Sequence, residues 1–259
     1  MIQLAKKRFG QNFLIDEFVI AQIINLINLK SDDNIVEIGP GLGALTRPIM
    51  TKVASINVVE IDRDIISYLK INFDSDVINI YEADALKFDF SLFNNRFRLV
   101  GNLPYNISTP LLFYLLEQIE YIIDMHFMLQ KEVVTRICAK PGTKDYGRLS
   151  IMLQLKLDCT YLLDVGARAF NPAPKVDSAI IRLVPKKNIE KVNQVLLNQI
   201  VTNAFNQRRK TISNSLSNYL VIEDFKLLDI DSKKRAENIT IKEYINIANY
   251  IESKNNAYR

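Results

Sequence analysis

Short runs of consecutive apolar residues alternate along the chain with stretches whose apolar positions recur every three or four residues. The runs "NIVEIG" (34–39), "SINVVEID" (55–62), "VINIYEAD" (77–84), "RLVGN" (98–102) and "MHFMLQ" (125–130) are rich in Ile and Val, and most end in turn or capping residues. They predict short, buried strands. Between them, "ALTRPIMTKV" (44–53), "RDIISYLKINF" (63–73) and "TPLLFYLLEQI" (109–119) carry helical spacing. Ahead of the first strand, "DEFVIAQIINLINL" (16–29) predicts a helix capped by Asp16. Strand–helix alternation of this kind predicts an α/β fold, a doubly wound and mostly parallel sheet. Two later strands, "TYLLDV" (160–165) and "SAIIRLV" (178–184), have no helical stretch between them. They predict an antiparallel hairpin at one edge of the sheet, with "FNPAPK" (170–175) as its loop.

After "VPKKN" the pattern changes. From Ile189 onward only helical stretches follow: "IEKVNQVLLNQIVTNAF" (189–205), "RRKTISNSLSNYL" (208–220) and "IKEYINIANYIE" (241–252). This predicts two domains, an α/β domain over 1–185 and a small all-α domain over 186–259.

Composition agrees. A chain of 259 residues with 48% apolar content suits one large domain with a smaller one, and has enough apolar surface for a real core. No apolar run approaches the ~18 residues of a spanning helix. The opening "MIQLAKKRFGQNFL" lacks an apolar core followed by a small-residue cleavage site, so a cytoplasmic protein with no membrane partner is expected. Cys138 and Cys159 lie far apart in apolar surroundings and read as reduced core thiols. A disulfide framework or a zinc site needs more. His126 is the only histidine, which argues against a metal cluster and against serine–histidine catalysis. It reads as a packed residue or one making a single hydrogen bond.

Charge is unevenly spread. From Lys186 onward there are 13 Lys and Arg against 8 Asp and Glu, a net +5, while the preceding part is −1. A basic helical module beside a near-neutral one suggests a polyanionic partner.

Candidate chemistry clusters where the strands end. "VEIGPGLGALT" follows the first strand and contains Gly39, Gly41 and Gly43. Glycines let a backbone turn sharply and approach a ligand, and such turns at the carboxyl edge of a parallel sheet bind nucleotides. The spacing is G-x-G-x-G, with Ala44 where the dinucleotide form has its third glycine. Glu60 ends the second strand, 21 residues after Gly39, where a carboxylate can accept ribose hydroxyls. Asp84, after the third strand, or its neighbouring backbone, can read an adenine amino group; as a structural residue it would cap a helix. Loop, Glu60 and Asp84 together spell an adenosyl pocket, without deciding whether a hydride or a methyl group moves.

"GNLPYNISTP" (101–110) adds the missing element. An adenine amine is a poor nucleophile because its lone pair is delocalised into the ring. To attack a methyl sulfonium it must be held by acceptors on its hydrogens. Asn102 supplies a side-chain oxygen. Pro104 biases Leu103 to an extended conformation that turns its carbonyl outward. Tyr105 offers a face for stacking the base. No strong general base is needed, because the methylated amine is acidic. Catalysis then consists of orientation in a dry pocket. Thr109 is expected to cap the next helix, with Pro110 at its first position.

"KKRFGQNFL", "EIGPGLGALT", "VEIDRD", "EADAL", "GNLPYNISTP", "FMLQKEV", "YGRLS", "FNPAPKVDSAIIRL" and "AFNQRRKT" span nearly the whole chain. Together they resemble the rRNA adenine N6-dimethyltransferases, of the bacterial small-subunit type. The resemblance implies a Rossmann-like S-adenosylmethionine-dependent methyltransferase fold. It also implies dimethylation of two adjacent adenines in a hairpin loop near the 3′ end of small-subunit (16S) rRNA, within an assembling subunit. Cofactor contacts would fall on Asn12, Leu14, Gly39, Gly41, Glu60, Ile61, Asp84, Ala85 and Asn102. The catalytic motif would be Asn102, Leu103, Pro104 and Tyr105, with Phe170 as a second aromatic sandwiching the target base. Extruding that base costs a few kcal/mol, which phosphate contacts offset. Lys6, Lys7 and Arg8 and, in the helical module, Arg208, Arg209 and Lys210 are the candidates. A monomer acting on the small ribosomal subunit is expected.

The large-subunit methyltransferases of macrolide-type resistance share an Asn-x-Pro-Tyr motif. "FGQNFL", "GPGLGALT", "PKVDSAI" and Leu at 103 favour the small-subunit type. A non-enzymatic assembly or transcription factor on the same fold can lose catalytic residues; Glu60, Asp84, Asn102 and Tyr105 are all present here, so activity is expected, and an assembly-checkpoint role can coexist with it. An NAD-dependent dehydrogenase would have no use for Asn-Leu-Pro-Tyr.

Overall fold

The structure, a computed structural model, describes residues 11–93 and 95–257. Among the described residues the first elements are a two-residue strand, β1 (Phe13–Leu14), and helix α1 (Glu17–Ile27). It then alternates: β2 (Ile35–Ile38), α2 (Thr46–Met50), β3 (Ile56–Glu60), α3 (Arg63–Asn72), β4 (Ile78–Glu82), β5 (Phe97–Asn102), α4 (Tyr105–Leu115) and β6 (Ile122–Gln130). Helices α5 (Lys131–Cys138) and α6 (Arg148–Gln154) follow, then β7 (Leu157–Val165), the short β8 (Phe170–Asn171) and β9 (Ser178–Pro185). The remainder is helical: α7 (Gln194–Asn206), α8 (Ile212–Ser215), α9 (Ile222–Leu227) and α10 (Ile241–Ala257).

Seven strands form one sheet in the order β4-β3-β2-β5-β6-β9-β7. The pairs β2–β3, β2–β5, β3–β4 and β5–β6 are parallel, and β9 lies antiparallel to β6. The strand order reverses between β2 and β5, so their carboxyl ends splay apart and open a crevice. β2 and β3 are buried along their whole length, which explains why they read as continuous apolar runs rather than alternating ones. The two late strands lie side by side at the sheet edge, as expected. Their connection carries β8, which pairs antiparallel with β1 through Leu14–Phe170 and Phe13–Asn171.

Helix α1 is pinned at both ends. Asp16 accepts from the Phe18 and Val19 N–H groups at 3.0 and 3.1 Å, the expected cap. Its last turn contains no basic residue, and Arg98 of β5 supplies the cation instead. Arg98 donates to the Ile27 carbonyl at 2.7 Å and the Asn28 carbonyl at 3.4 Å, where positive charge complements the helix dipole. The same guanidinium pairs with Asp33 at 2.6 Å and Asp124 at 2.8 Å, so its burial is compensated. His126 of β6 sits beside this cluster, 3% exposed, with neither ring nitrogen hydrogen-bonded. Burial pushes it down to about 4, so it packs as a neutral ring.

The chain divides into two compact units. The first contains the residues up to Val134 together with Asp158–Pro185; the second contains Thr135–Leu157 with the chain from Lys186 onward. Lys186 begins the longer part of the second unit, and the segment 135–157 lies with its helices. Tyr146, Ile151 and Leu155 pack into one core with Leu197, Ile200 and Tyr244. That grouping joins residues too far apart for a reading of contiguous chain. The stretch read as one helix over 208–220 contains only α8, and α9 follows separately. Its Ser and Asn side chains compete for backbone groups: Ser213 Oγ donates to the Ser232 carbonyl and Ser215 Oγ to the Ile212 carbonyl. Among the described residues no helix is long and apolar enough to cross a membrane.

Gly101 sets the spacing between β5 and β2 next to the motif. A Cβ there would lie 2.6 Å from the Ile38 carbonyl oxygen and 3.1 Å from Leu103 Cδ2. Backbone cannot yield as a side chain does, so Gly101→Ala is expected to cost about 2 kcal/mol. Denaturant unfolding checks this; an unchanged midpoint would show that the strands separate freely.

Candidate active site

The carboxyl ends of four parallel strands converge on one cavity of about 1080 Å³. β2 delivers Glu37 and the loop Gly39–Leu45, β3 delivers Glu60 and Ile61, β4 is followed by Ala83–Leu86, and β5 delivers Asn102–Tyr105. Gln11–Ile15 and one face of α1 complete the wall. Asn12, Leu14, Gly39, Gly41, Glu60, Ile61, Asp84, Ala85, Asn102, Leu103, Pro104 and Tyr105 therefore all line a single space.

The glycine loop needs its glycines for different reasons. Gly39, Gly41 and Gly43 all have positive φ, at +66°, +54° and +84°. A Cβ on Gly43 would collide with the Phe73 ring at 2.2 Å, whereas one on Gly39 would meet no protein atom within 4 Å. Gly39 thus bares its backbone to the cavity.

Glu60 is 7% exposed. Its Oε1 accepts the Ile61 and Asp62 N–H groups, both at 2.8 Å. Burial raises its carboxyl above the usual range, opposed by these bonds and one from the Gly41 N–H. A carboxylate has about four acceptor positions, so capacity remains for a hydroxyl donor. Asp84 accepts the Leu86 N–H at 3.0 Å through Oδ1, closing an Asx turn rather than capping a helix.

Glu37 was legible only as part of the glycine-loop run, and the structure gives it more. It is 1% exposed, accepts the Thr46 hydroxyl at 2.7 Å and lines the cavity. Burial pushes its carboxyl up to about 7, assisted by the charge of Glu60 and opposed by the Thr46 bond. A lone carboxylate within the apolar run "IVEI" was the available signal.

Asn102 donates from Nδ2 to the Asn12 carbonyl at 3.0 Å. A carbonyl can only accept, so the amide nitrogen faces Asn12 and Oδ1 is directed elsewhere. Leu103 is buried, its N–H given to the Met128 carbonyl at 3.2 Å. Tyr105 is half-buried, and its hydroxyl lies 2.7 Å from Ser178 Oγ. Helix α4 starts at Tyr105, behind Pro104, and contains Pro110, so Thr109 does not cap it. Pro104 already has the fixed φ of −55° that a helix entry uses, and Ser108 Oγ donates back to the Tyr105 carbonyl. The helix therefore starts earlier than its apolar spacing indicated.

Phe170 is not on the cavity wall. Its pairing with Leu14 turns it into the core, 4% exposed. Lys6, Lys7 and Arg8 lie outside the described residues. Arg208, Arg209 and Lys210 are exposed in the second unit, where Arg208 pairs with Glu237 at 2.6 Å and donates to the Lys144 carbonyl. Cys138 and Cys159 are both partly buried and are not joined by a disulfide.

Strand order and a cavity lined by glycine-loop backbone and strand-end acids define a Rossmann-like enzyme of the methyltransferase class. The ribosomal RNA adenine dimethylase family model matches residues 2–253. A curated relative from Dechloromonas aromatica, ribosomal RNA small subunit methyltransferase A, is 48% identical over 96% of this chain and 98% of its own length. Among solved structures, a dimethyladenosine transferase from Plasmodium falciparum superposes with a TM-score of 0.81 at 26% identity, covering 94% of this chain and 98% of that one. The 23S rRNA methyltransferase ErmE gives 0.73 at 25% identity, covering 93% and 100%. The chain belongs to the ribosomal RNA adenine dimethylase family, and its activity therefore draws on a methyl donor.

Proposed function

We propose that the protein dimethylates N6 of two adjacent adenines in the 3′-terminal hairpin loop of small-subunit rRNA, with S-adenosylmethionine as donor. The observation that carries the reading is the Asn102 amide, tethered to Asn12 so that its oxygen is free to accept, in one cavity with the Tyr105 ring. The small-subunit name of the 48% identical relative supports this substrate over the large-subunit rRNA named for ErmE.

The residues present fit the donor. The cavity volume accommodates a nucleoside ligand, bare backbone at Gly39 leaves room for close approach, and Glu60 retains acceptor capacity for ribose. Gly39, Gly41, Glu60, Ile61, Asp84 and Ala85 would hold the nucleoside, with Asn12 and Leu14 closing over it. Bound S-adenosylmethionine would supply an electrophilic methyl carbon on a cationic sulfur. Asn102 Oδ1 and the Leu103 carbonyl accept the amine hydrogens of the extruded adenine and aim its lone pair. Tyr105 stacks the base, with no contribution from the buried Phe170. The exposed Arg209 and Lys210 add phosphate contacts from the helical unit, joined by Arg208 if its ion pair opens. The protein acts as a cytoplasmic monomer on the assembling subunit.

The test incubates the protein and labelled S-adenosylmethionine with undermethylated small subunits and, separately, large subunits. Digestion should release N6,N6-dimethyladenosine from the small subunit only. Label in the large-subunit RNA instead would overturn the assignment.

A further inference from the structure

We propose that Ser178 is a positioning residue for methyl transfer, its buried hydroxyl fixing the plane of the Tyr105 ring against which the target base is held. The inference rests on the proposed function. Ser178 is 0% exposed, and its Oγ lies 2.7 Å from the Tyr105 hydroxyl. The two are 73 residues apart, and no local sequence signal links them. Tyr105 stands in the first turn of α4, half-buried. Without a partner at its far end, the ring would sample several rotamers, and a stacked base would not meet one fixed plane.

Ser178 is itself immobilised. It opens β9 in register with Gln130 of β6. The carbonyl of the preceding Asp177 accepts the Lys131 N–H at 3.0 Å, and its Oδ1 accepts the Ala167 N–H at 3.0 Å. Two residues beyond Ala167, the Ala169 carbonyl accepts the N–H groups of Ile15 and Asp16 at 2.9 and 3.3 Å. β8 then pairs with β1, and Asn12, just ahead of β1, accepts from Asn102. A single strap, running from Asn12–Asp16 through Ala167–Asn171 to Asp177–Ser178, therefore holds both ends of Asn102–Tyr105. The amide and the ring are located relative to each other by contacts outside the motif. Burial raises the Tyr105 phenol above its ordinary range, and the Ser178 bond opposes that shift, so the hydroxyl stays protonated and able to bond.

The experiment measures steady-state methylation of undermethylated small subunits by wild type, Ser178→Ala, Tyr105→Phe and the double variant. Either single change is expected to lower kcat about fivefold, the worth of one oriented hydrogen bond, with KM for S-adenosylmethionine unchanged. In the Tyr105→Phe background, Ser178→Ala should add less than about twofold, because the bond is already gone. Ser178→Thr, which keeps the hydroxyl, should restore activity. Separately, the tyrosinate difference spectrum between each protein and its Tyr105→Phe counterpart should show Tyr105 titrating higher once Ser178 is alanine. Equal losses in both backgrounds, or an unmoved Tyr105 titration, overturn the proposal. So does a Tyr105→Phe enzyme with wild-type kcat, a result independent of whether Ser178→Ala folds. Absence of transfer by the wild type defeats the functional reading instead, while the titration still reports on the Ser178 contact.

Discussion

Asn102→Ala is expected to slow single-turnover methyl transfer by roughly 100- to 1,000-fold, the range for losing one preorganised polar contact to a reacting group, while subunit binding persists. In the proposed mechanism the amide acts through direction. Its nitrogen is committed to the Asn12 carbonyl at 3.0 Å, so the oxygen is presented in one orientation without reorganisation at the moment of reaction. Alanine removes the acceptor and also loosens Asn12 from β5. Asn102→Asp separates these roles. It keeps an oxygen acceptor but sets a carboxylate against the Asn12 carbonyl, and should recover little of the loss. Quench measurements with saturating small subunits and donor decide the matter; transfer within tenfold of wild type by the alanine variant would refute an orientation mechanism.

Glu37→Gln should stabilise the ligand-free protein at alkaline pH and impair its use of the donor. Burial raises this carboxyl from 4.5 to about 7, so between those values the folded state holds a proton that the unfolded state has lost. Wild-type stability is then greatest at the acid end of the window and falls as pH rises toward 7, by about 3 kcal/mol in total. Glutamine retains the shape, can keep the 2.7 Å contact with Thr46 and does not ionise. Denaturant unfolding should show near-equal stability at pH 4.5 and a more stable variant at pH 8. If the donor is the proposed S-adenosylmethionine, its positive charge favours the ionised form, so wild-type affinity for it should increase through pH 7. The variant should bind more weakly with a flat profile. Parallel pH profiles for the two proteins would remove Glu37 from donor binding.

The sequence disclosed what depends on short-range pattern. β2, β3 and β5 are buried on both faces, so they show in the sequence as continuous apolar runs. The crevice followed from where those runs stop. Glu60, Asp84 and Asn102 were read as candidates because each ends a run in the sequence, and all three line the cavity. What stayed hidden depends on contacts across the chain. Ser178 looked like an ordinary strand residue until the fold brought it to Tyr105. Phe170 looked available for stacking because nothing local shows that β8 pairs with β1 and buries it. α5, α6 and α9 are only 8, 7 and 6 residues long, too short for a helical period to stand out.

The second unit's two-part construction has a consequence for biosynthesis. Leu155 leaves the ribosome 96 residues before Ile251, its last partner in that core. At synthesis rates of about 5 to 20 residues per second, the interval is roughly 5 to 20 s. During it, Tyr146, Ile151 and Leu155 have no complete helical bundle to enter, although the flanking strands can already assemble. A nascent chain that has emerged only as far as Pro185 would thus combine all seven strands of the sheet with an uncovered apolar segment, a natural point for chaperone engagement.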